Sequence, residues 1–235
     1  MIDRAEVLRQ MPDGPGFVIP RSMLRHREGA VLGSPSSGDF AVHDAARGTL
    51  ALVGSPRPED CLPSLAPRVV FAVSESFDTA FWPNFHWQSL AVFSGGTQGR
   101  EHRPGASSRP SAAVERLSPA FEISSAPEGL RFALKVGLSL GPVYAIRQQN
   151  KVVATACCFW RSGRYFDISI DTVSSHRRRG FGRWVAAALL EEMWPAEAVH
   201  CSAEEETLAR AFVRSLGLRR VGRIFRGVVR ERNDR

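Results

Sequence analysis

Lysine is nearly missing from this chain. Of 31 basic side chains only Lys135 and Lys151 are lysines, so the basic excess is almost all arginine. A Walker phosphate loop ends in Gly-Lys-Ser/Thr, and no such run is present. Cysteine is sparse: Cys61, Cys157, Cys158 and Cys201, with one adjacent pair and no C-x-x-C spacing. That argues against a zinc site and a disulfide framework. Cys157 and Cys158 sit in an apolar run and read as small core residues. His43, His86 and His102 are scattered without metal-ligand spacing, so no metal is expected. No apolar run reaches the roughly 18 residues of a membrane span, and the N-terminal stretch lacks a signal-type apolar segment. A cytoplasmic protein with no membrane partner is the expectation.

What is present is an ordinary globular balance, 43% hydrophobic and 23% charged over 235 residues. At ~100–200 residues per domain this means one large or two small domains. The formal charge of +7 suits an anionic partner of some kind: nucleic acid, an acidic surface or an anionic cofactor.

Residues 1–93 read as a small α/β unit. A short helix is expected over Ala5–Gln10, strands at Ala30–Leu32, Phe40–Val42, Leu50–Val53, Arg68–Val73 and Ser89–Phe93, and a short helix over Phe77–Trp82. Phe81, Trp82, Phe85 and Trp87 read as an aromatic packing cluster. Residues 94–113 are rich in Gly, Ser, Pro and charge and read as a linker. The second domain, 114–235, is more regular. Pro127–Leu140 has helical periodicity, and Val143–Arg147 with Val152–Phe159 reads as a hairpin. Tyr165–Val173 is a strand whose Phe166, Ile168, Ile170 and Thr172 face one side. Tyr165, Asp167, Ser169 and Asp171 make the other side polar. A helix follows with Phe181, Trp184, Val185, Ala188 and Leu189 on one face. After a short strand at Ala198–Cys201, Ser202 and Glu205 read as a capping box for a helix with Leu208, Ala211 and Phe212 inward, stopped at Gly217. Val221–Val229 closes the chain as a strand. The expected class is α/β with a mixed sheet.

The chemistry concentrates in Arg177-Arg178-Arg179-Gly180-Phe181-Gly182-Arg183, between a strand and a helix. Glycines let the backbone turn tightly and present successive N–H groups, and the helix adds its own unpaired donors and positive dipole end. Together they form a cradle for a pyrophosphate. The dinucleotide fingerprint fits less well, because Val185 stands where a third small residue is needed. Arginine clusters also bind nucleic-acid backbones, but the glycine spacing fits a cradle better than a basic stripe.

The pattern Arg/Gln-x-x-Gly-x-Gly/Ala, met by Arg177, Gly180 and Gly182 after the strand Asp167–Thr172, resembles the acyl-CoA motif of the GNAT superfamily of N-acetyltransferases. The resemblance covers about residues 114–230, in the branch with a less recognisable N-terminal α/β domain. It implies a GNAT-like C-terminal domain that uses acetyl-CoA as cosubstrate. The backbone of Ile170, Asp171 and Thr172 would meet the acyl and pantetheine part, and the N–H groups from Arg178 to Arg183, Phe181 included, would hold the pyrophosphate. Asp167 is the candidate general base, with a salt bridge to Arg164 as its structural alternative. The acceptor would be an amine on a small molecule or peptide, and a homodimer is compatible with this reading. The family's usual thiolate-protonating tyrosine has Val213 in its place, and its preceding asparagine is Glu206. Tyr144 and Tyr165 are then the only phenols available. A non-catalytic acyl-CoA binder is the alternative reading.

Overall fold

The computed structural model describes residues 3–25, 29–61, 67–74, 76–95, 113–203 and 205–230. Most of the expected linker, His102 included, lies outside them. The chain divides into two compact units, one of residues 1–93, 201–207 and 220–235, the other of 94–200 and 208–219. No described helix is long and apolar enough to cross a membrane.

The first unit carries helices α1 (Arg4–Gln10) and α2 (Val18–Arg25), strands β1 (Gly29–Ser34), β2 (Asp39–Asp44) and β3 (Thr49–Val53), the short helix α3 (Pro58–Cys61), and strands β4 (Val69–Ala72) and β5 (Phe85–Gly95). Its strand order is β1-β2-β3-β4, then the C-terminal strand β11 (Leu218–Val229), then β5. β3 and β4 are parallel and the pairs around them antiparallel. Trp82 and Phe85 pack with Phe77, Trp87 and Phe225 in the core, as expected of the aromatic run, whereas Phe81 is exposed. The helix expected over Phe77–Trp82 is only a 3-10 turn, Thr79–Phe81, held by the Asp78 side chain on the Ala80 N–H. Helix α2 was not expected. Pro20 interrupts the run, yet it stands in the first turn, where its missing N–H costs nothing.

The second unit holds strand β6 (Val114–Arg116), helix α4 (Glu128–Leu140), strands β7 (Val143–Gln148), β8 (Lys151–Arg161) and β9 (Tyr165–Thr172), helix α5 (Phe181–Glu192), the start of strand β10 (Glu197–Ala203) and most of helix α6 (Thr207–Ser215). Its order is β10-β9-β8-β7-β6, mixed, with β9 and β10 parallel. The β7–β8 hairpin turns at Gln149 and Asn150, both at positive φ, as a two-residue hairpin turn requires. Helix α4 buries Leu130, Ala133, Leu134 and Gly137 on Val143, Ala145 and Cys157. Helix α5 buries Phe181, Val185, Ala186 and Leu189, so Ala186 rather than Ala188 turns inward. Its C-terminal Glu192 is held by Arg116 at 2.9 Å and by the Tyr144 hydroxyl at 2.5 Å.

The capping box is corrected by the structure. Ser202 lies buried inside β10, and Glu205 accepts from Gln88 Nε2 at 2.7 Å. The strand runs on to Ala203, so α6 begins only at Thr207. Leu208 and Ala211 are then exposed, Phe212 is half-buried and Val213 is buried, about 100° round the helix from Phe212. Gly217, at φ +86, stops the chain after α6 as expected.

Candidate functional site

Strand β9 keeps its alternation. Its polar residues are cross-strand partners of the α4-facing row of β8: Ser169 opposite Cys157, and Asp171 opposite Thr155. The other face lies under α5, where a Cβ on Gly182 would stand 3.3 Å from Thr172 Oγ1 and 3.4 Å from Ile170 Cγ2.

From Thr172 the chain passes through a 3-10 turn, Ser174–His176, into the arginine-glycine loop. Arg177 Nε donates to the Thr172 carbonyl at 3.2 Å and folds the loop back on the strand end. Arg178 stands at φ +62 and Gly180 at φ +80, a left-handed backbone that glycine adopts without strain. Gly180 caps α5, and its carbonyl takes the N–H groups of Arg183 (3.0 Å) and Trp184 (3.2 Å). The Arg183 amide is therefore used within the helix. The amides of Arg178, Arg179, Gly180, Phe181 and Gly182 have no partner among the described residues. Five successive donors at the positive end of a 12-residue helix have the arrangement that suits an anion. The Arg178, Arg179 and Gly180 positions are exposed. The Arg183 side chain donates to the Ser215 carbonyl at 3.3 Å and ties α5 to the end of α6. The His176 and Phe181 rings stack at 6.4 Å between centroids.

The Asp167 carboxyl stands on the polar face of β9 with no hydrogen bond or ion pair among the described residues. Its salt-bridge alternative does not form: Arg164 turns to Glu197 at 2.6 Å and lies over the Tyr165 ring. Burial without a compensating charge pushes the Asp167 carboxyl up to about 7. Asp171 is raised by burial too, against a 3.1 Å bond from Ser169 Oγ and the nearby His200 and Arg177 charges. Buried Thr155 Oγ1, opposite Asp171, has no hydrogen-bond partner among the described residues. The phenols are placed elsewhere. Tyr144 is committed to Glu192, about 16 Å along α5 from its N-terminus, with its hydroxyl pushed up to about 12 by burial and that carboxylate. Tyr165 is buried at the start of β9.

A residue that sequence reasoning missed stands beside the strand. β10 pairs with β9 at Glu197↔Tyr165, Ala198↔Phe166 and Val199↔Asp167. At the next position the His200 ring meets the Ile168 carbonyl at 3.0 Å through Nδ1. Nothing in the sequence sets this histidine apart from any other strand residue.

A strand leading through an arginine-glycine turn into a helix N-terminus marks a mixed α/β unit with a row of unengaged amides at the strand end. Residues 134–217 match the family model described as GNAT acetyltransferase. Its fold is similar to a GCN5-related N-acetyltransferase-like protein from Streptococcus suis (12% identity, 97% of this chain and 100% of that one, TM-score 0.64). A GCN5-related N-acetyltransferase from Kribbella flavida is similar at 12% identity, 93% and 96% coverage and a TM-score of 0.61. A functionally unknown conserved protein from Staphylococcus epidermidis is similar at 9% identity, 87% and 95% coverage and 0.61. At these identities the likeness is one of fold. No curated protein matches the sequence.

Proposed function

We propose that the chain is an acyltransferase that moves an acetyl group from acetyl-CoA to an amine of a small-molecule or peptide acceptor. The observation that carries this reading is the row of five unengaged amides, Arg178 to Gly182, at the N-terminus of α5. Such a row suits a pyrophosphate, and Ile170 and Thr172 lie directly beneath it. Acetyl-CoA supplies the activated thioester. The acceptor nitrogen forms a bond to the acyl carbon, and the carbon–sulfur bond breaks to release a thiolate.

Asp167 is the proposed general base. A carboxyl held near 7 is matched to taking an ammonium proton at neutral pH, directly or through a water. The amides of Ile170 and Asp171 lie on the strand that the acyl arm would follow. Val213 cannot protonate the thiolate, and it is buried in α6. That residue favours a second reading, a binder of acyl-CoA without turnover. Calorimetry with coenzyme A and thiol release from acetyl-CoA over a panel of amines separate the two. Saturable binding with thiol release for at least one amine is the expected result. Binding without transfer to any amine supports the binder, and absence of binding overturns both.

A further inference from the structure

We infer that Phe132 and Phe159 form an apolar wall of the acceptor site beside Asp167, and that the acceptor is a primary amine carrying an aromatic ring. This rests on the acyltransferase reading above and narrows its acceptor.

The strand register brings aromatic residues to the proposed base. β8 and β9 pair at Cys158↔Ile168 and next at Arg161↔Phe166. Two residues of β8, Phe159 and Trp160, therefore stand opposite Asp167 alone, which is the count of a β-bulge. Residues facing each other across an antiparallel pair hold their Cβ atoms about 5 Å apart. Phe159 turns to the α4 side of the sheet, where it packs on the cluster of Leu130, Ala133 and Cys157. Asp167 lies on that side too, in the row of Ser169 and Asp171, whose partners are Cys157 and Thr155.

Phe132 extends the wall outward. It stands on α4, off the face that buries Leu130, Ala133, Leu134 and Gly137, and it is 72% exposed. Its ring meets the Phe159 ring edge-on, with centroids 6.1 Å apart and planes at 88°. The pair leaves apolar area in water that a third ring can cover, and aromatic rings favour such edge-to-face and offset contacts. Asp167 is only half-buried, so a ligand can reach it. Its carboxyl has no ion pair among the described residues, and an ammonium group supplies the missing charge.

Away from the wall the same row turns polar. Ser169 Oγ donates to Asp171 at 3.1 Å, and the buried Thr155 hydroxyl opposite Asp171 has no partner among the described residues. That end offers an aromatic body no apolar surface. An amine held at Asp167 therefore lays its ring over Phe159 and Phe132.

Calorimetry on the full chain at pH 8, where Asp167 is ionised, compares 2-phenylethylamine with three probes: propylamine, 2-phenylethanol and spermidine. 2-Phenylethylamine is expected to bind at least about tenfold more tightly than propylamine, which lacks the ring, and than 2-phenylethanol, which lacks the charge. Phe132→Ala should bring 2-phenylethylamine to within about threefold of propylamine. Alanine at this exposed helical position keeps the fold, and an unchanged thermal midpoint verifies it. Equal affinity for 2-phenylethylamine and propylamine, tightest binding by spermidine, or no binding by any amine overturns the aromatic acceptor. A preference for the ring that survives in Phe132→Ala overturns the wall. Selective binding of 2-phenylethylamine without thiol release from acetyl-CoA overturns the transferase reading and leaves the amine site standing.

Discussion

Gly182 closes on Thr172 so tightly that a Cβ at position 182 would lie 3.3 Å from the threonine hydroxyl oxygen. Ile170 and Phe212 stand 3.4 and 3.5 Å from the same point. Gly182→Trp therefore has no room below the loop and must push its ring across the cradle. Coenzyme A affinity is expected to fall at least about tenfold, the equivalent of roughly 1.4 kcal/mol. Calorimetry at an affinity equal to wild type would remove the amide row from the binding site.

Asp167→Asn is expected to lower the transfer rate far more than coenzyme A affinity, because the carboxyl sits on the β9 face away from α5. In the wild type, kcat/KM should rise with pH through about 7 as the base loses its proton. Stability moves in the opposite sense. A carboxyl whose folded pKa is raised holds its proton more tightly in the native state, so wild-type stability falls as pH climbs from about 4 to about 7. The Asn variant lacks that loss, so the stability difference between the two chains should move in its favour across the same window. Denaturant midpoints at pH 5 and pH 8 measure it, and a pH-independent difference would contradict the buried-carboxyl account.

Gly137→Ala should destabilise the protein although it adds the best helix former. The intrinsic gain is at most about 1 kcal/mol. The new Cβ would stand 2.5 Å from Cys157 Cβ and 3.0 Å from Val143 Cγ2, both fully buried. Overpacking of that kind costs about 1–3 kcal/mol, which outweighs the gain. Gly129→Ala, in the first turn of the same helix with nothing within 4 Å, is the control and should be neutral or stabilising. Thermal midpoints of the two variants should therefore move in opposite senses or differ by several degrees.

Cys157 should resist thiol reagents in the native protein. It is fully buried, its sulfur lies 3.6 Å from the Ala133 carbonyl, and burial with Asp171 and Asp167 nearby pushes the thiol upward. Labelling followed by peptide mapping should reach it only after denaturation. Rapid native labelling would mean that α4 leaves the sheet readily.

The second unit was more readable from sequence than the first, for physical reasons. β9 and α5 each carry a strong period, and the turn between them contains the glycines its backbone needs, so strand, loop and helix stand where the pattern puts them. β6 has only three residues and exists through its pairing with β7, which no local pattern records. Ser202 carried the sequence signal of a helix cap, but tertiary pairing extended β10 through it. The amide cradle was legible because glycine spacing encodes backbone shape. Its limit at Gly182 was not, since that depends on the Gly180 carbonyl taking the Arg183 N–H. The isolation of Asp167 was equally hidden, because it follows from Arg164 choosing Glu197.

The clamp at the far end of α5 gives the helix a polarity that outlasts any ligand. Glu191 and Glu192 end the helix with charges that oppose its dipole, and Arg116 offsets Glu192 across 2.9 Å. The opposite end carries no acidic residue in its first turn. Negative charge is thus built into one terminus and left out of the other. A phosphate bound there, as proposed above, would complete a charge distribution that the polypeptide leaves unfinished, and weakening Arg116 would disturb that distribution without touching the loop.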